Sequence, residues 1–429
     1  MRRRHRGIIF VTALGIIVIL TGLALVFAQA MRNEALASAN RRSQAQADSV
    51  ELGAEQWVLA QVDEYTTDAY TLTTEVQTDT IPLGAQETTG YFWVLPSDIS
   101  QVQGPVCGIT DESSKLNLNM ASETNLVNTI ENLATTLNLN LPQDTPYSIY
   151  NWTHTTSDAN GASDSDYASM GEPYDIKSTS GPARFETVEE LLMVGQQPDI
   201  QQNLMPQLLW GTDAGRNALR FEWQQNGGGQ GGLIGGTTKP NTGLFNYLTV
   251  YSLPPTGAAN GNRTINPFTA SEVLLESLGT GMTQAQAQSI VQARETNASS
   301  SGQSGTNGYR WAISAASPPL TAAQSQYLTG QSYRYSADIV AVSADGRAFR
   351  RVRIVVDCSR YNPLAAALST QSPPTAIIYR KDLTAYGWPL LGTQKQFEDM
   401  VAKGQPPLGW LGQALSGPGN TGGTVGQVH

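Results

Sequence analysis

The sequence predicts an α+β protein, and three observations carry that prediction. A helix-forming run without proline extends well beyond an apolar N-terminal stretch. Capping-box patterns ahead of apolar helices recur through the middle of the chain. The C-terminal third holds two alternating runs joined at Asp345-Gly346, which reads as an antiparallel hairpin. At 429 residues there is room for two or three domains and a substantial core. Charged residues make up only 14 %, which suits an extracytoplasmic surface, and the net charge of −10 argues against nucleic-acid binding. Histidine occurs only as His5, His154 and His429. A histidine-based catalytic or metal site would rest on His154 alone, and no nucleophile motif such as G-x-S-x-G is present, so no enzyme is expected.

At the N-terminus, Arg2, Arg3, Arg4, His5 and Arg6 precede Gly7, and then about 21 residues, Ile8 to Ala28, carry no charge. As a helix these span ~30 Å of hydrocarbon. The arginines hold that end in the cytoplasm and leave the bulk of the chain on the far side. Ala28-Gln29-Ala30 also fits a signal-peptide cleavage pattern, the alternative reading. From Gln29 to about Asp63 there is no proline, and Val50, Ala54, Trp57, Val58 and Val62 share one helical face. Such a helix of about 55 residues would be ~80 Å long, lipid-soluble in its first half and amphipathic in its second.

Next, residues 71–83 and 91–99 read as short strands. In the run from Asp111 to Asn119, DESSKLNLN, Leu116 and Leu118 alternate as in a strand, and Asn119 or Ser122 can cap the helix that carries Leu126, Val127 and Ile130. Asn117 to Glu123 recurs weakly as Asn266 to Glu272. Thr269 with Glu272, Thr283 with Gln286 and Thr187 with Glu190 fit capping boxes, so residues 121–330 are expected to be mainly helical. The glycine-rich stretch 226–236 lacks the Lys-Ser/Thr ending of a phosphate loop and reads as a connector. Residues 275–295 resemble a helix-hairpin-helix, but Thr283 stands where a phosphate-binding version has its second glycine.

Between His154 and Ile176 the chain gathers Asp158, Asn160, Asp164, Asp166, Glu172 and Asp175. Two readings are open: a solvated acidic loop, or oxygen donors for Ca²⁺, though not an EF-hand. In the C-terminal third, Ile339, Ala341, Arg351, Arg353 and Val355 sit at period-two positions, as for a sheet with one wet face, and 375–383 offers a third strand. Cys107 and Cys358 form no metal-type spacing; they are either one disulfide or two buried thiols. The tail beyond about Pro406 is rich in Gly, Gln and Pro and is expected to be flexible.

A short basic leader ending in Gly7, then an apolar helix that runs into an amphipathic one, resembles a type IV pilin-like precursor (prepilin). The resemblance implies cleavage by prepilin peptidase between Gly7 and Ile8 and N-methylation of Ile8. Most of that superfamily carry Glu at the fifth mature position; here it is Thr12. Lack of that glutamate marks the K subunit (general secretion pathway protein K), a minor pseudopilin of the type II secretion system. Asp111–Asn119 with Ala121-Ser122-Glu123 is similar to its D-E-S-G-K-x-N-L-N-T-A pattern, with Ser114 for the glycine, and Asp164-x-x-Tyr167 matches its acidic segment.

The resemblance implies a pilin-like fold with a large helical domain inserted into the sheet region. The expected division is a cytoplasmic leader at 1–7, the pilin helix at 8–64, the first part of a β-domain at 65–120, the helical insertion at 121–330, the second part at 331–405 and a tail at 406–429. It implies a single-pass inner-membrane protein with most of the chain in the periplasm, a non-enzymatic subunit at the pseudopilus tip that initiates assembly and aids export of folded proteins. Its implied partners are the I and J minor pseudopilins, the major pseudopilin and secreted cargo. It also implies calcium, with Asp158, Asn160, Asp164, Asp166 and Asp175 as the donors. The alternatives are a minor pilin of a type IV pilus and a membrane-anchored periplasmic enzyme.

Overall fold

The N-terminal run forms one helix, α1 (His5–Glu64), with no break where its surroundings change. A computed structural model describes residues 5–65, 68–74, 80–83, 88–95, 108–119, 122–154, 160–169, 176–177, 183–195, 205–210, 243–253, 263–279, 281–298, 308–359, 375–388 and 394–403. At 1.5 Å per residue α1 is ~90 Å long. Its apolar half, from Phe10 to Met31, is uncovered by the rest of the chain, with Phe10 71 % and Ile19 70 % exposed. Among the described residues it is the one helix long and apolar enough to cross a membrane.

From Ser43 onward the helix acquires a buried stripe. Ala47, Val50, Ala54, Val58 and Val62 are fully buried, and Trp57 packs edge-on against Phe92 with ring centroids 5.3 Å apart. That stripe lies on an antiparallel sheet built from both ends of the remaining chain. The strands are β1 (Thr80–Leu83), β2 (Thr88–Leu95), β3 (Thr110–Asp111), β6 (Arg334–Val342), β7 (Phe349–Asp357) and β8 (Ala376–Asp382). The order is β1-β2-β6-β7-β8, and β3 joins β6 beyond the end of β2. β2 pairs Leu95 with Asp338, and β3 resumes the ladder with Thr110 on Ser336 and Asp111 on Tyr335. Gly108 makes that re-entry possible, because a Cβ there would stand 1.9 Å from the Val94 carbonyl oxygen.

Phe92, Val94, Ile339, Ala341, Val352, Ile354 and Val356 point at α1 and close the first core. Fully burying each large apolar side chain contributes about 1.5–3 kcal/mol. Polar contacts rim this core. Arg380 reaches Glu51 and Glu55, Arg350 pairs with Asp48, Thr375 donates to Asp63, and Ser43 donates to Asp345 at the β6–β7 turn. The turn therefore sits by the middle of α1, while the start of β8 sits by its C-terminal end.

Three expectations are corrected. Residues 71–74 are not strand: α2 (Ala69–Thr74) forms there because Asp68 takes the Thr71 amide at 3.0 Å and its hydroxyl at 2.8 Å, seating Leu72 in the α1 core. The sheet has no wholly wet second face. Trp93, Leu95, Val340 and Val342 form a small cluster there, and Arg351 is only 3 % exposed because Asp338 pairs with it. Thr269 is not the cap before Glu272; Ser271 accepts the Leu274 amide, and Thr269 turns to Asp111.

Between β3 and β6 lies a second core. Helices α3 (Glu123–Thr136), α4 (Thr145–Asn151), α5 (Asp164–Ala168), α6 (Met205–Trp210), α7 (Glu272–Ser277), α8 (Gln284–Ala298), α9 (Arg310–Ala315) and α10 (Ala322–Ser325) surround Leu126, Ile130, Tyr167, Leu274, Ile290 and Tyr327. A short parallel pair, β4 (Leu116–Asn117) with β5 (Leu248–Thr249), enters the same core. One further helix, α11 (Gln394–Ala402), follows the sheet near the β6–β7 turn, where Gln394 donates to the Arg347 carbonyl at 2.7 Å.

The Arg380 clamp yields a test. Burial pushes the Glu51 carboxyl above its usual range, and Arg380 offsets only part of that push. Arg380→Ala is expected to lower unfolding stability by about 2 kcal/mol at pH 7, less than for a fully buried pair because Arg380 is 45 % exposed. A carboxyl raised in the folded state stabilises below its unfolded pKa, and that contribution is lost as pH rises through the folded value. The deficit should therefore shrink from pH 7 towards pH 5 in urea titrations of the detergent-solubilised chain.

Candidate functional site at the junction of sheet and helical domain

The residues singled out in the sequence do not converge on one place. Gly7 and Ile8 lie in the first turns of α1, and Thr12 is exposed on its apolar half. In the acidic segment, Asp158 and Asp175 lie outside the described residues. Asp166 turns back on its own helix, taking the Ser163 amide at 2.7 Å, and Asp164 takes the Ile176 amide at 3.0 Å. The Asn160 carbonyl accepts from Asn151 at 2.9 Å. These are capping and loop-tying roles, and among the described residues no three carboxylate, histidine or cysteine side chains gather to hold a metal ion. The described donors alone thus do not make up a calcium site.

Cys358 is a buried thiol that donates to the Tyr333 carbonyl at 3.2 Å; burial pushes its pKa up to about 12. Cys107 lies outside the described residues, as does the glycine-rich stretch 226–236. His154 stacks on Tyr150 with centroids 4.0 Å apart. In the helix-hairpin-helix, α7 and α8 are present, but the turn is already occupied. The amides that would face a phosphate are spent within the turn: that of Gly281 donates to the Leu278 carbonyl at 2.8 Å, that of Met282 to the Glu276 carbonyl at 3.1 Å and that of Thr283 to Gln286 at 2.9 Å.

The motif Asp111–Asn119 carries the chain from one core into the other. Ile109 belongs to the sheet core, and Leu116 and Leu118 to the helical one. Between them, two adjacent carboxylates are buried, Asp111 at 1 % and Glu112 at 3 % exposure. Each is met by donors from distant segments. Asp111 accepts from the Ser113 amide at 2.7 Å, Thr269 at 2.6 Å and Ser332 at 2.6 Å. Glu112 accepts from Lys115 at 3.0 Å and from the hydroxyls of Thr249 and Ser336. Farther on, Asn117 donates to the Ser252 carbonyl at 2.7 Å, and Asn119 exchanges hydrogen bonds with the Phe185 backbone.

The two carboxyls are driven apart in acidity. Burial raises Asp111 to about 6, only partly opposed by its hydrogen bonds. Burial pushes Glu112 up as well, but Lys115, Ser336 and Thr249 outweigh it and leave the group below its ordinary value. The weak repeat is a shared local structure. Asn117 accepts the amide of Asn119 at 2.8 Å, Asn266 accepts that of Phe268 at 3.0 Å, and helices follow whose first turns start after Ser122 and Ser271, with a side-chain cap bond at Ser271. Sequence reading marked the motif but missed its partners. It also missed Asp338, which holds Arg351 at 2.9 Å and Arg353 at 3.0 Å. An acidic residue inside an apolar strand, placed opposite Arg353 by the Asp345-Gly346 turn, was the available signal.

The pH response of Asp111 is testable. Its unfolded value is near 3.8 and its folded value about 6, so between them the folded state keeps a proton that the unfolded state has lost. Stability from this group therefore falls as pH rises through that window. Asp111→Asn should remove that part of the slope. At pH 7 it should also cost about 1–3 kcal/mol, because an amide NH₂ then faces the Thr269 and Ser332 donors. Urea midpoints of both proteins at pH 5 and pH 7 check each effect.

No family model matches the sequence, nor does any curated protein. Among solved structures, a chain in the crystal structure of the GspK-GspI-GspJ complex from the enterotoxigenic Escherichia coli type 2 secretion system is similar to this one. The sequence identity is 13 % and the TM-score 0.47, with the match covering 82 % of this chain and 99 % of that chain. The architecture described above stands on this chain's own geometry.

Proposed function

We propose that the chain is a minor pseudopilin of the K type, a membrane-anchored subunit that caps a periplasmic fibre and helps to start its assembly. The observation that carries this reading is α1, one unbroken helix behind a basic leader, whose uncovered apolar half continues into a half packed on an antiparallel sheet. Such a helix can rest in the bilayer and later join a bundle of like helices without refolding. The placement of the helical domain supports a terminal position. It joins the sheet at Asp111 and Tyr335, the end away from the Ser43–Asp345 contact and therefore away from the apolar half. A bulky domain there would obstruct a subunit stacking above but none below.

On this reading the mature chain starts at Ile8, and the I and J minor pseudopilins and the major pseudopilin pack against the apolar half of α1. Secreted cargo meets the helical domain, and the protein sits in the inner membrane with that domain in the periplasm. Thr12 fits a tip position, because an ion in hydrocarbon without a counter-charge is costly and a topmost subunit has no amine above it to neutralise. Calcium in the acidic segment belongs to the same proposal. It would need Asp158 and Asp175 to join Asp164, with oxygen donors suited to a hard cation.

N-terminal sequencing of protein purified from membranes is expected to begin at Ile8. A start at Met1 or near Met31 would defeat the reading. Thr12→Glu should place a carboxylate in hydrocarbon at a cost of about 2.5–3.5 kcal/mol and reduce fibre initiation, counted by microscopy of overexpressing cells. Unchanged fibre number and secretion would remove the tip rationale for Thr12.

A further inference from the structure

Between the sheet face opposite α1 and the helical domain lies a cleft of about 360 Å³. That is at the lower end of the range for ligand sites, about 300–1,000 Å³. Its floor is the ion cluster on β6 and β7. Asp338 is held by Arg351 through two hydrogen bonds, of 3.0 and 2.9 Å, and Arg353 makes a third bond to the same carboxylate at 3.0 Å. One wall is aromatic: Tyr251 and Tyr379 lie 5.5 Å apart between centroids, and Phe245 lies 5.8 Å beneath the Arg353 guanidinium. Lys381 and Glu189 bridge sheet and helical domain at 3.2 Å and are the more exposed pair, at 38 % and 31 %.

Charge decides what this cleft suits. Among the described residues its lining holds four cations, Lys115, Arg351, Arg353 and Lys381, against three carboxylates, Glu112, Glu189 and Asp338. This described lining is positive by one charge in a chain of net charge −10. The excess cation can be assigned. Glu112 has Lys115, Glu189 has Lys381, and Asp338 is already matched by the two-pronged bond from Arg351. Arg353, 26 % exposed, shares Asp338 through one bond at 3.0 Å and is, among the described residues, the cation of this set that has no carboxylate to itself. A guanidinium has five N–H donors in a fork that matches a carboxylate, and here an aromatic face and apolar walls flank it.

We propose that this cleft binds a carboxylate of a protein partner, an acidic side chain next to an apolar residue, seated on Arg353. The proposal does not rest on the secretion reading. The test is fluorescence anisotropy with the full chain in detergent micelles, read against empty micelles. The probe is a fluorescein-labelled peptide of alternating Leu and Glu, compared with its Leu and Gln counterpart. The Glu peptide is expected to bind at least about tenfold more tightly than the Gln peptide. Arg353→Gln should lose about tenfold for the Glu peptide and nothing for the Gln peptide. It should keep its fold because Asp338 retains Arg351, which circular dichroism confirms. Lys381→Gln, at the rim, is a second arm expected to lose about threefold, and Lys395→Gln, outside the cleft, should match the unaltered chain. Equal binding of both peptides, full binding by Arg353→Gln, or no binding by the folded chain overturns the proposal.

Discussion

Two neighbouring carboxylates buried where a sheet gives way to helices can exist only if enough donors converge on them. Asp111 and Glu112 meet that condition by drawing on segments far apart in sequence: 249, 269, 332 and 336 all supply hydroxyls. An isolated buried carboxylate would be expensive, and each donor removed leaves part of that cost uncovered. The interaction therefore works as a register lock. The helical domain can dock on the sheet only in the orientation that delivers those hydroxyls, because any other leaves charge unmatched. Whether the lock adds net stability over an apolar junction is a separate matter.

The second constraint is that α1 serves two solvents. In its first half a continuous apolar surface is appropriate on every side, and burial against the chain would be wasted. In its second half only one stripe is apolar, and polar contacts from Ser43, Asp48, Glu51, Glu55 and Asp63 hold its flanks to the sheet. The sheet answers with opposite faces of different character. Apolar residues face the helix, and the Asp338–Arg351–Arg353 cluster faces the helical domain. A β-strand offers alternate residues to its two faces, so one short strand such as β6 can serve both.

This explains which parts of the molecule were legible from sequence. The long helix and the β6–β7 hairpin were, because their signals are local: an unbroken helix-forming run, a stripe at Val50, Ala54, Val58 and Val62, and Asp345-Gly346 between alternating runs. The helical starts at Thr187 and Thr283 were legible for the same reason. Residues 71–74 were not, because their Thr-rich composition favours strand. The helix there depends on Asp68 and on a place for Leu72 under α1. The junction was half legible. DESSKLNLN stood out as a pattern, yet its chemistry needs Thr249, Thr269, Ser332 and Ser336, and nothing in their local sequences points to it. Arg351 was read as a wet-face residue because an arginine at an alternating position usually is one. Its burial follows only from Asp338 beside it and a domain packed above.

The same reasoning accounts for where the helical domain can be inserted at all. Its two ends leave the sheet at adjacent positions on neighbouring strands, since Asp111 pairs with Tyr335 across one rung of the ladder. Two chain ends held one rung apart close the insertion as a loop whose entropic cost grows only slowly with its length. Enlarging the domain then costs the sheet almost nothing, provided its ends stay pinned. The pinning is what Asp111 supplies, by taking Ser332 just before β6 while its own backbone completes β3. A domain attached this way transmits force to α1 through β6, the strand that carries the α1 contacts on one face and the ion cluster on the other. Load applied at the helical domain would therefore reach α1 through a packed sheet.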